Sequence, residues 1–266
     1  MRAAVVAEVR KLRSTRLWWV LLIGMAGYLA FVGGVLAFSI VFTPEDQGGL
    51  ELSGVAAAQS VYGLINAIGY VFPLVVGSLL VTSEFRHRTI TASLLVEPRR
   101  SVFLGAKLLV ALPLGLLYGL AGTVGIVAAS APLLAGAGDG AFLTDRAVVE
   151  VLLLGIVVTA LWTVIGVAFG SVVPNQVAAI VVLLALTQFV EPIARVALGG
   201  FAATGSVAKF LPGSAADGLI GASFLSEMSG GSADLLPRWA ALLVLVGYAG
   251  VLALVGRTTT LRRDIG

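Results

Sequence analysis

Six long apolar runs decide what this chain of 266 residues can fold into. A helix needs about 20 apolar residues to cross the ~30 Å hydrocarbon core of a bilayer, and each run reaches that range. Hydrophobic residues make up 59% of the chain and charged residues only 12%, a balance that is typical of membrane proteins. The sequence therefore predicts an all-α polytopic membrane protein with one transmembrane domain, 1–266. The predicted spans are 17–42, 58–81, 102–133, 148–172, 176–198 and 236–256.

Basic residues are concentrated in three of the polar segments that flank these runs. By the positive-inside rule, both termini and segment 82–101 are expected in the cytoplasm, which requires an even number of spans. The first connection carries Glu45, Asp46 and Glu51 with no Lys or Arg, as expected for the outer side. The basic residues are Arg2, Arg10, Lys11, Arg13 and Arg16, then Arg86, Arg88, Arg99, Arg100 and Lys107, and finally Arg257, Arg262 and Arg263.

The N-terminal segment 1–16 has the pattern of a short amphipathic helix. Its apolar residues recur at helical spacing, and polar residues fill the positions between them. A basic amphipathic helix of this kind lies on the membrane surface, so we predict a cytoplasmic interface helix that leads into the first span. A basic tail that only sets topology is the alternative. The polar positions are Glu8, Arg10, Lys11 and Arg13.

Segment 82–101 is a dense block of charge between two apolar runs, and it is predicted to face water. On a helix, Phe85 and Thr89 share one face, and Glu84 and Arg88 have the same i, i+4 spacing. We expect the first pair to pack against a cytoplasmic partner and the second pair to flank it with charged contacts. A solvated loop that only enforces topology is the alternative. The central residues read Ser83-Glu84-Phe85-Arg86-His87-Arg88-Thr89-Ile90.

The connection between the fourth and fifth spans is very short. It reads Val173-Pro174-Asn175-Gln176, and Pro followed by Asn favours a turn. We predict a tight cytoplasmic hairpin in which Pro174 and Asn175 form a second contact for the same partner. A turn without any partner is the alternative.

Region 191–235 is expected on the outer side. Pro192 and Arg195 interrupt the end of the fifth run, and the apolar pieces that follow are short and broken by Gly and Pro. Pieces too short to span predict outer re-entrant helices between the fifth and sixth spans. An additional pair of spans around 201–224 is the alternative.

Polar residues are scarce inside the predicted spans. Lys107 lies at a cytoplasmic end, where its side chain can snorkel to water. The midplane carries no charged relay of the kind that ion-coupled carriers use. Asn66 and Gln188 are either hydrogen-bonding contacts between helices or part of a substrate pathway. Two G-x-x-x-G motifs, at 115–119 and 166–170, allow close helix packing within one subunit or between subunits.

The sequence carries no constellation of catalytic or metal-binding residues. It has no cysteine and a single histidine, His87. It also lacks the G-x-x-x-x-G-K-[ST] phosphate loop, so it is not expected to bind ATP in that way. We therefore expect a protein that is not an enzyme, binds no cofactor or metal itself, and has a lipid membrane but no nucleic acid as a partner.

Three stretches resemble the membrane-spanning permease subunit of a bacterial ABC transporter of the type-2 exporter class (ABC-2 type permease). The first is Glu8 to Arg16, which looks like the interface helix of that family. The second is Ser83 to Ile90, continued by Leu94-Leu95, Pro98, Arg99-Arg100 and Lys107, which looks like its coupling helix. The third is Leu211-Pro212-Gly213 with Ala215-Ala216, which resembles its outer re-entrant region. Related sequences commonly have Gly at the position of Arg88.

This resemblance implies a function and a set of partners. The chain would form the translocation pathway of an ATP-driven exporter in the bacterial cytoplasmic membrane, with a second permease copy, identical or related. Two copies of a separate ABC ATPase would hold ATP and Mg and press on Glu84, Phe85, Arg86, Arg88 and Thr89. An apolar pathway favours a hydrophobic or amphipathic cargo such as a drug, antibiotic, lipid or peptide. An ion-coupled secondary carrier and a scaffold that recruits a cytoplasmic partner without transport are the alternatives.

Overall fold

The computed structural model describes residues 1–43, 52–136, 140–199, 205–223 and 235–260. Every regular element in these ranges is a helix. The helices are α1 Arg2–Ser14, α2 Leu17–Phe42, α3 Gly54–Leu64, α4 Val71–Arg86, α5 Ile90–Val96, α6 Arg100–Gly136, α7 Arg146–Val172, α8 Gln176–Ala185, α9 Glu191–Gly199, α10 Gly205–Ala208, α11 Pro212–Ile220 and α12 Arg238–Thr258.

Two short π-helical turns join pairs of these helices into longer rods. Ile65–Gly69 connects α3 to α4, and Leu186–Val190 connects α8 to α9. A π turn widens the helix locally without ending it. The described residues therefore contain six helical stretches that are long and apolar enough to cross a membrane, which confirms the predicted all-α polytopic fold. These spans are Leu17–Phe42, Gly54–Arg86, Arg100–Gly136, Arg146–Val172, Gln176–Leu198 and Arg238–Thr258.

The second and fourth spans form the centre of the bundle. About two thirds of the second span's apolar window is buried inside the protein (67%), against 22% for the first, fifth and sixth spans. Helix α7 contacts α4, α6 and α12, and α6 also packs along α2. The peripheral spans leave large apolar side chains such as Phe31, Val181 and Leu243 exposed, as expected for surfaces that face lipid.

Both G-x-x-x-G motifs are used for packing within this chain. Gly166 and Gly170 of α7 lie against the backbone of α4, and a Cβ at Gly166 would collide with the Leu74 carbonyl. Gly115 and Gly119 of α6 lie in the same way against α7. Small residues let helix backbones approach closely, so these motifs build a close-packed contact between central spans.

The helices between the fifth and sixth spans are too short to cross a membrane. Helix α11 has nine residues, begins with Pro212 at its first turn, and ends at Gly221, whose φ of 85° stops the helix. No additional span is found among the described residues. Parts of region 191–235 (200–204 and 224–234) lie outside them, as do 44–51, 137–139 and 261–266. The re-entrant path stays a prediction.

The alternation of six spans gives the bundle two ends. The α1 end holds α1, α5, the 173–175 turn and the end of α12, and the far end holds the 140–145 connection and α11. The predicted basic segments 1–16 and 82–101 belong to the α1 end, as does Arg257 of α12. Which end faces the cytoplasm stays a prediction.

Candidate functional site

Four charged side chains from three helices meet at the α1 end. We call Glu8, Lys11, Glu84 and Lys107 the α1-end network. The Lys107 ammonium lies 2.5 Å from Glu84 Oε1 and 2.7 Å from Glu8 Oε2. The Lys11 ammonium lies 2.7 Å from Glu8 Oε1 and 2.9 Å from Glu84 Oε1, and it also donates to Ser93 Oγ of α5. The network therefore connects α1, α4, α5 and α6 through two carboxylates and two ammonium groups.

Lys107 is the most deeply buried member of this network. Its side chain is 1% exposed, and it also donates to the Leu80 carbonyl at 2.7 Å. Its nitrogen lies 4.9 Å from the centre of the Phe103 ring, within range of a cation–π contact. The expectation that Lys107 snorkels to water is therefore wrong, because α1 covers it and supplies Glu8 as a counter-ion. A charge buried to this degree is stable only while its partners remain.

Lys11 is the half-exposed member. Burial lowers the pKa of Lys11, but the hydrogen bonds that its ammonium donates to Glu8 and Glu84, together with their negative charges, outweigh burial and raise the pKa above its ordinary value. Lys11 therefore stays charged at neutral pH. Of the four residues predicted for an interface helix, Glu8 is buried in the network, while Arg10 and Arg13 point outward and are exposed.

The structure changes the geometry expected for the coupling residues. Helix α4 ends at Arg86, and Arg88 adopts a left-handed backbone with φ of 55°, so one helix does not continue from Glu84 to Arg88. The amide of Thr89 donates instead to the Glu84 carbonyl at 2.9 Å, and α5 begins at Ile90. The expected pairs, Phe85 with Thr89 and Glu84 with Arg88, therefore do not lie at i, i+4 positions of one continuous helix. The left-handed backbone is a conformation that Gly accepts without strain and that Arg rarely adopts.

Glu84 itself points inward. From the sequence, its carboxylate is predicted to contact a partner. In the structure the residue is 5% exposed and paired with Lys107. Phe85 is half-buried against a small apolar cluster that includes Ile90 and Phe103. The residues that point outward are Arg86, His87, Arg88 and Thr89, followed by Leu95 and Val96 of α5, which are 81% and 88% exposed. We call these six residues the α4–α5 face.

A groove joins this face to the other predicted contact. Phe85 and Arg86 form one wall, and Pro174, Asn175 and Val177 form the other, around a volume of about 550 Å³. The Asn175 side chain accepts a hydrogen bond from the Ala178 amide and caps the start of α8. Two segments that the sequence proposed separately as partner contacts thus line one groove.

A larger cavity of about 580 Å³ lies next to the α1-end network. Its lining includes Glu84 and Lys107, together with Trp18, Leu79 and Gln176. Its lining is mostly apolar, with the network as its charged wall. A volume in this range is large enough for a drug-sized molecule.

A second polar group of residues, which the sequence did not reveal, lies at the far end. Arg195 Nη1 is 2.9 Å from Asp217 Oδ2, and Arg195 Nη2 is 3.0 Å from Glu191 Oε1. Asn66 Nδ2 donates to Asp217 Oδ1 at 2.7 Å, and Ser223 Oγ donates to Asp217 Oδ2 at 2.9 Å. We call Asn66, Glu191, Arg195, Asp217 and Ser223 the far-end network. It ties the second and fifth spans to α11.

Both π turns border this network. Asn66 lies on the first turn, and Gln188 lies on the second. Tyr70 bridges them, because its hydroxyl donates to the Thr187 carbonyl at 2.9 Å and lies 3.4 Å from Gln188 Nε2. The structure therefore brings together the two residues that the sequence proposed for a substrate pathway, around a cavity of about 140 Å³.

The sequence missed the charged members of the far-end network. Glu191 and Arg195 have i, i+4 spacing in an otherwise apolar segment, which was a signal for an ion pair in or near the membrane. Asp217 gave no signal of its own, since it approaches only through the folding back of α11. Burial raises the pKa of Asp217, although Arg195, Ser223 and Asn66 act in the opposite direction.

The six helices that are long and apolar enough to cross a membrane define a polytopic membrane protein. The chain matches the family described as "ABC-2 family transporter protein" over residues 4–190. This range covers most of the chain, so the protein belongs to the ABC-2 family of transporters and is a transport permease component that is not itself catalytic. No curated relative matches it.

Proposed function

We propose that this chain is the membrane subunit of an ATP-driven exporter in the bacterial cytoplasmic membrane, with both termini in the cytoplasm. Family membership supports association with an ABC ATPase. Because the sequence has no phosphate loop, ATP and Mg are bound and used on that separate subunit. The assembly contains two permease copies, identical or related, and two ATPase subunits.

The observation that carries this proposal is the position of Glu84 directly beneath the α4–α5 face. This face is exposed and carries the basic residues Arg86 and Arg88, whereas the Glu84 carboxylate is held by Lys107 of α6 and Lys11 of α1. A partner that presses on Arg86, Arg88 and Thr89 displaces the end of α4. Buried ion pairs resist separation, so the displacement is passed to α1 and α6.

The groove beside Phe85 and Arg86 extends the same contact. Arg86 supplies positive charge, and Phe85, Pro174 and Val177 supply apolar surface. Such a groove fits a partner that presents an apolar residue flanked by carboxylates, because opposite charges across an interface favour association. Pro174 and Asn175 then couple the same movement to the fourth and fifth spans.

The cargo is hydrophobic or amphipathic. The cavity of about 580 Å³ beside Trp18 and Leu79 has mostly apolar walls and opens next to charged residues. Drug-sized ligands occupy pockets of about 300–1,000 Å³ with a few polar groups, and this cavity lies within that range.

Two sets of variants separate docking from coupling. Arg86→Glu with Arg88→Glu reverses the exposed charges and is expected to abolish co-purification with the ATPase. Glu84→Gln with Lys107→Met removes the central ion pair but leaves Glu8 and Lys11 balanced, so it is expected to keep the ATPase bound and lose transport. Transport is measured as ATP-dependent efflux of a panel of lipophilic dyes from reconstituted vesicles.

Glu97→Gln is the matched control for these variants. Glu97 also belongs to the α1 end, but it forms an ion pair with Arg99, two residues along the chain and 70% exposed, rather than with a member of the α1-end network. This variant is expected to behave as wild type. Normal transport by both the docking and the coupling variants would contradict the proposal.

An ion-coupled secondary carrier is the second candidate function. The buried carboxylates of the far-end network favour it, since proton-coupled transport uses such groups. Dye transport that follows an imposed pH gradient without any nucleotide would replace the exporter with this carrier. Retention of the ATPase without transport of any tested compound by the wild-type assembly would favour the scaffold instead.

A further inference from the structure

The far-end cavity is lined by more negative than positive side chains. Glu191, Asp217 and Arg195 all line it, and both carboxylate residues are 7% exposed. Arg195 is shared between the two carboxylates, because its Nη1 contacts Asp217 and its Nη2 contacts Glu191. Among the residues that line the cavity, one negative charge therefore has no counter-ion. A buried charge without a partner is costly, so the site favours a cation or a proton.

Asn66 gives an independent indication of what the cavity accepts. It is a buried residue on the first π turn, and its Nδ2 donates to Asp217. Its Oδ1 has no hydrogen-bond partner among the residues that the structure describes. A buried acceptor left unsatisfied is destabilising, and a ligand that donates a hydrogen bond removes that cost. The cavity therefore favours a group that is positively charged and also donates a hydrogen bond.

The remaining walls favour an organic cation over a metal ion. Tyr70, Ala67, Ile68 and Pro192 contribute aromatic and apolar surface, and aromatic rings attract ammonium groups. The described residues contain no group of three or more His, Cys, Asp or Glu that could hold a metal ion. The volume of about 140 Å³ is below the usual range for a whole drug-sized ligand. The cavity is thus large enough for a head group but too small for a whole drug-sized molecule.

We propose that the far-end cavity binds the ammonium group of an amphipathic molecule. Asp217 and Glu191 supply the charge, Asn66 Oδ1 supplies an acceptor, and Tyr70 supplies an aromatic wall. The molecule is either cargo, which rests on the exporter function proposed above, or a membrane lipid with an ammonium head group. The binding site itself does not depend on that function.

The test uses the purified full chain in nanodiscs of phosphatidylglycerol, a lipid without an ammonium group. The probe is radiolabelled benzylammonium, whose N–H groups can donate to Asn66 Oδ1, and the control ligand is its neutral isostere ethylbenzene. We expect the probe to bind and the isostere to compete at least tenfold more weakly. Equal competition by both compounds would overturn the proposal, since the site would then recognise only apolar shape.

Two variants test the charge count in opposite directions. Asp217→Asn is expected to weaken probe binding at least tenfold, and Arg195→Gln is expected to tighten it, because the resident guanidinium is removed. Glu150→Gln is the matched control, since Glu150 is a surface carboxylate at the same end, paired with Arg146 and Arg238, and should leave binding unchanged. If Asp217→Asn does not fold, Glu191→Gln replaces it with the same expectation. Unchanged binding in the carboxylate variant would refute the site.

Proton competition gives a further signature. Within the described part of the chain, the charged and titratable groups that face Asp217 are Arg195, Glu191 and Tyr70. Since burial raises the pKa of Asp217, a proton competes with the cation at acidic pH. Probe binding is therefore expected to strengthen as pH rises through that pKa, and this trend is expected to disappear in Asp217→Asn. A pH profile that persists in Asp217→Asn would assign the proton to another group and overturn the role of Asp217.

Two further arms separate the sources of the ammonium group. Addition of phosphatidylethanolamine to the nanodiscs is expected to displace the probe if the site serves a lipid. ATP-dependent transport of the probe by the reconstituted assembly would show that the ammonium group bound at this site belongs to cargo. Binding without transport leaves the site intact and counts against cargo, whereas transport without probe binding by the wild-type chain overturns the site and leaves the exporter standing.

Discussion

The two ends of the bundle hold two buried charge networks that differ in balance. At the α1 end, two carboxylates meet two ammonium groups, and Lys107 is sealed beneath α1. At the far end, two carboxylates share the single guanidinium of Arg195 beside a cavity. A network with balanced charges holds helices together without an added ion. A network with one charge in excess favours binding of a counter-ion. We therefore propose that the α1-end network transmits force and that the far-end network binds a cation.

The largest expected effect concerns the sides of the membrane on which these networks lie. The chain has no cysteine, so single cysteines report sidedness cleanly. Thr144→Cys at the far end is expected to react with an impermeant thiol reagent on intact cells. Ser101→Cys at the α1 end is expected to react only after lysis, because basic segments stay inside. Labelling of Ser101→Cys from outside would reverse the roles of the two ends.

Removal of Lys107 should have the largest effect on stability. Lys107→Met leaves Glu8 and Glu84 with Lys11 alone, and a buried carboxylate loses its partner. Loss of one member of a buried ion pair typically costs about 3–5 kcal/mol. We expect a large drop in the melting temperature in detergent, and Glu84→Gln in the same chain should restore much of it. A single variant as stable as wild type would mean that the α1-end network holds nothing together.

The close contact between α4 and α7 joins the two ends mechanically. Gly166→Ala places a Cβ against the Leu74 carbonyl, and overpacking of this kind costs about 1–3 kcal/mol. Gly247→Ala on α12 is the control, because nothing lies within 4 Å of its Cβ position. Thermal unfolding of the two variants should differ by that amount. Equal stability would show that the helices can separate at little cost.

Asp217→Asn should affect stability less than Lys107→Met. The neutral amide leaves one carboxylate with one guanidinium, so the charges of the far-end network become balanced. We expect a loss of about 1 kcal/mol or less, since a hydrogen-bond acceptor remains for Asn66. Thermal unfolding at neutral pH measures the difference. A loss as large as that of Lys107→Met would show that both networks are mainly structural.

The smallest expected effect is a gain. Arg88 has a φ of 55°, a conformation that costs a residue with a side chain about 1–2 kcal/mol relative to Gly. After the entropy that Gly loses on folding, Arg88→Gly is expected to stabilise the chain by about 0.5–1 kcal/mol. Arg86→Gly, within the last turn of α4, should instead destabilise it by about 1 kcal/mol. Opposite signs in the two melting temperatures are the expected result.

The spans could be predicted from the sequence because about 20 consecutive apolar residues leave few other structures possible. The site could be predicted only in part. The sequence singled out Glu84 but not its inward direction, which depends on the packing of α1 and α6 against α4. Asn66 and Asp217 meet across 151 positions of the chain, and no local pattern reports such a contact. The left-handed backbone at Arg88 could not be predicted from the residues around it, because Arg rarely adopts a positive φ.

The close packing of α4 against α7 has a consequence for how the molecule moves. Two helices whose backbones are in contact resist sliding past each other, so we expect the second and fourth spans to move as one rigid unit. The first place where the second span departs from α-helical winding is Ile65–Gly69, immediately beside the far-end cavity. A push at the end of α4 would therefore bend the rod at that joint and reshape the cavity. Spin labels on α3 and α4 would record that bend as a change in distance when nucleotide binds.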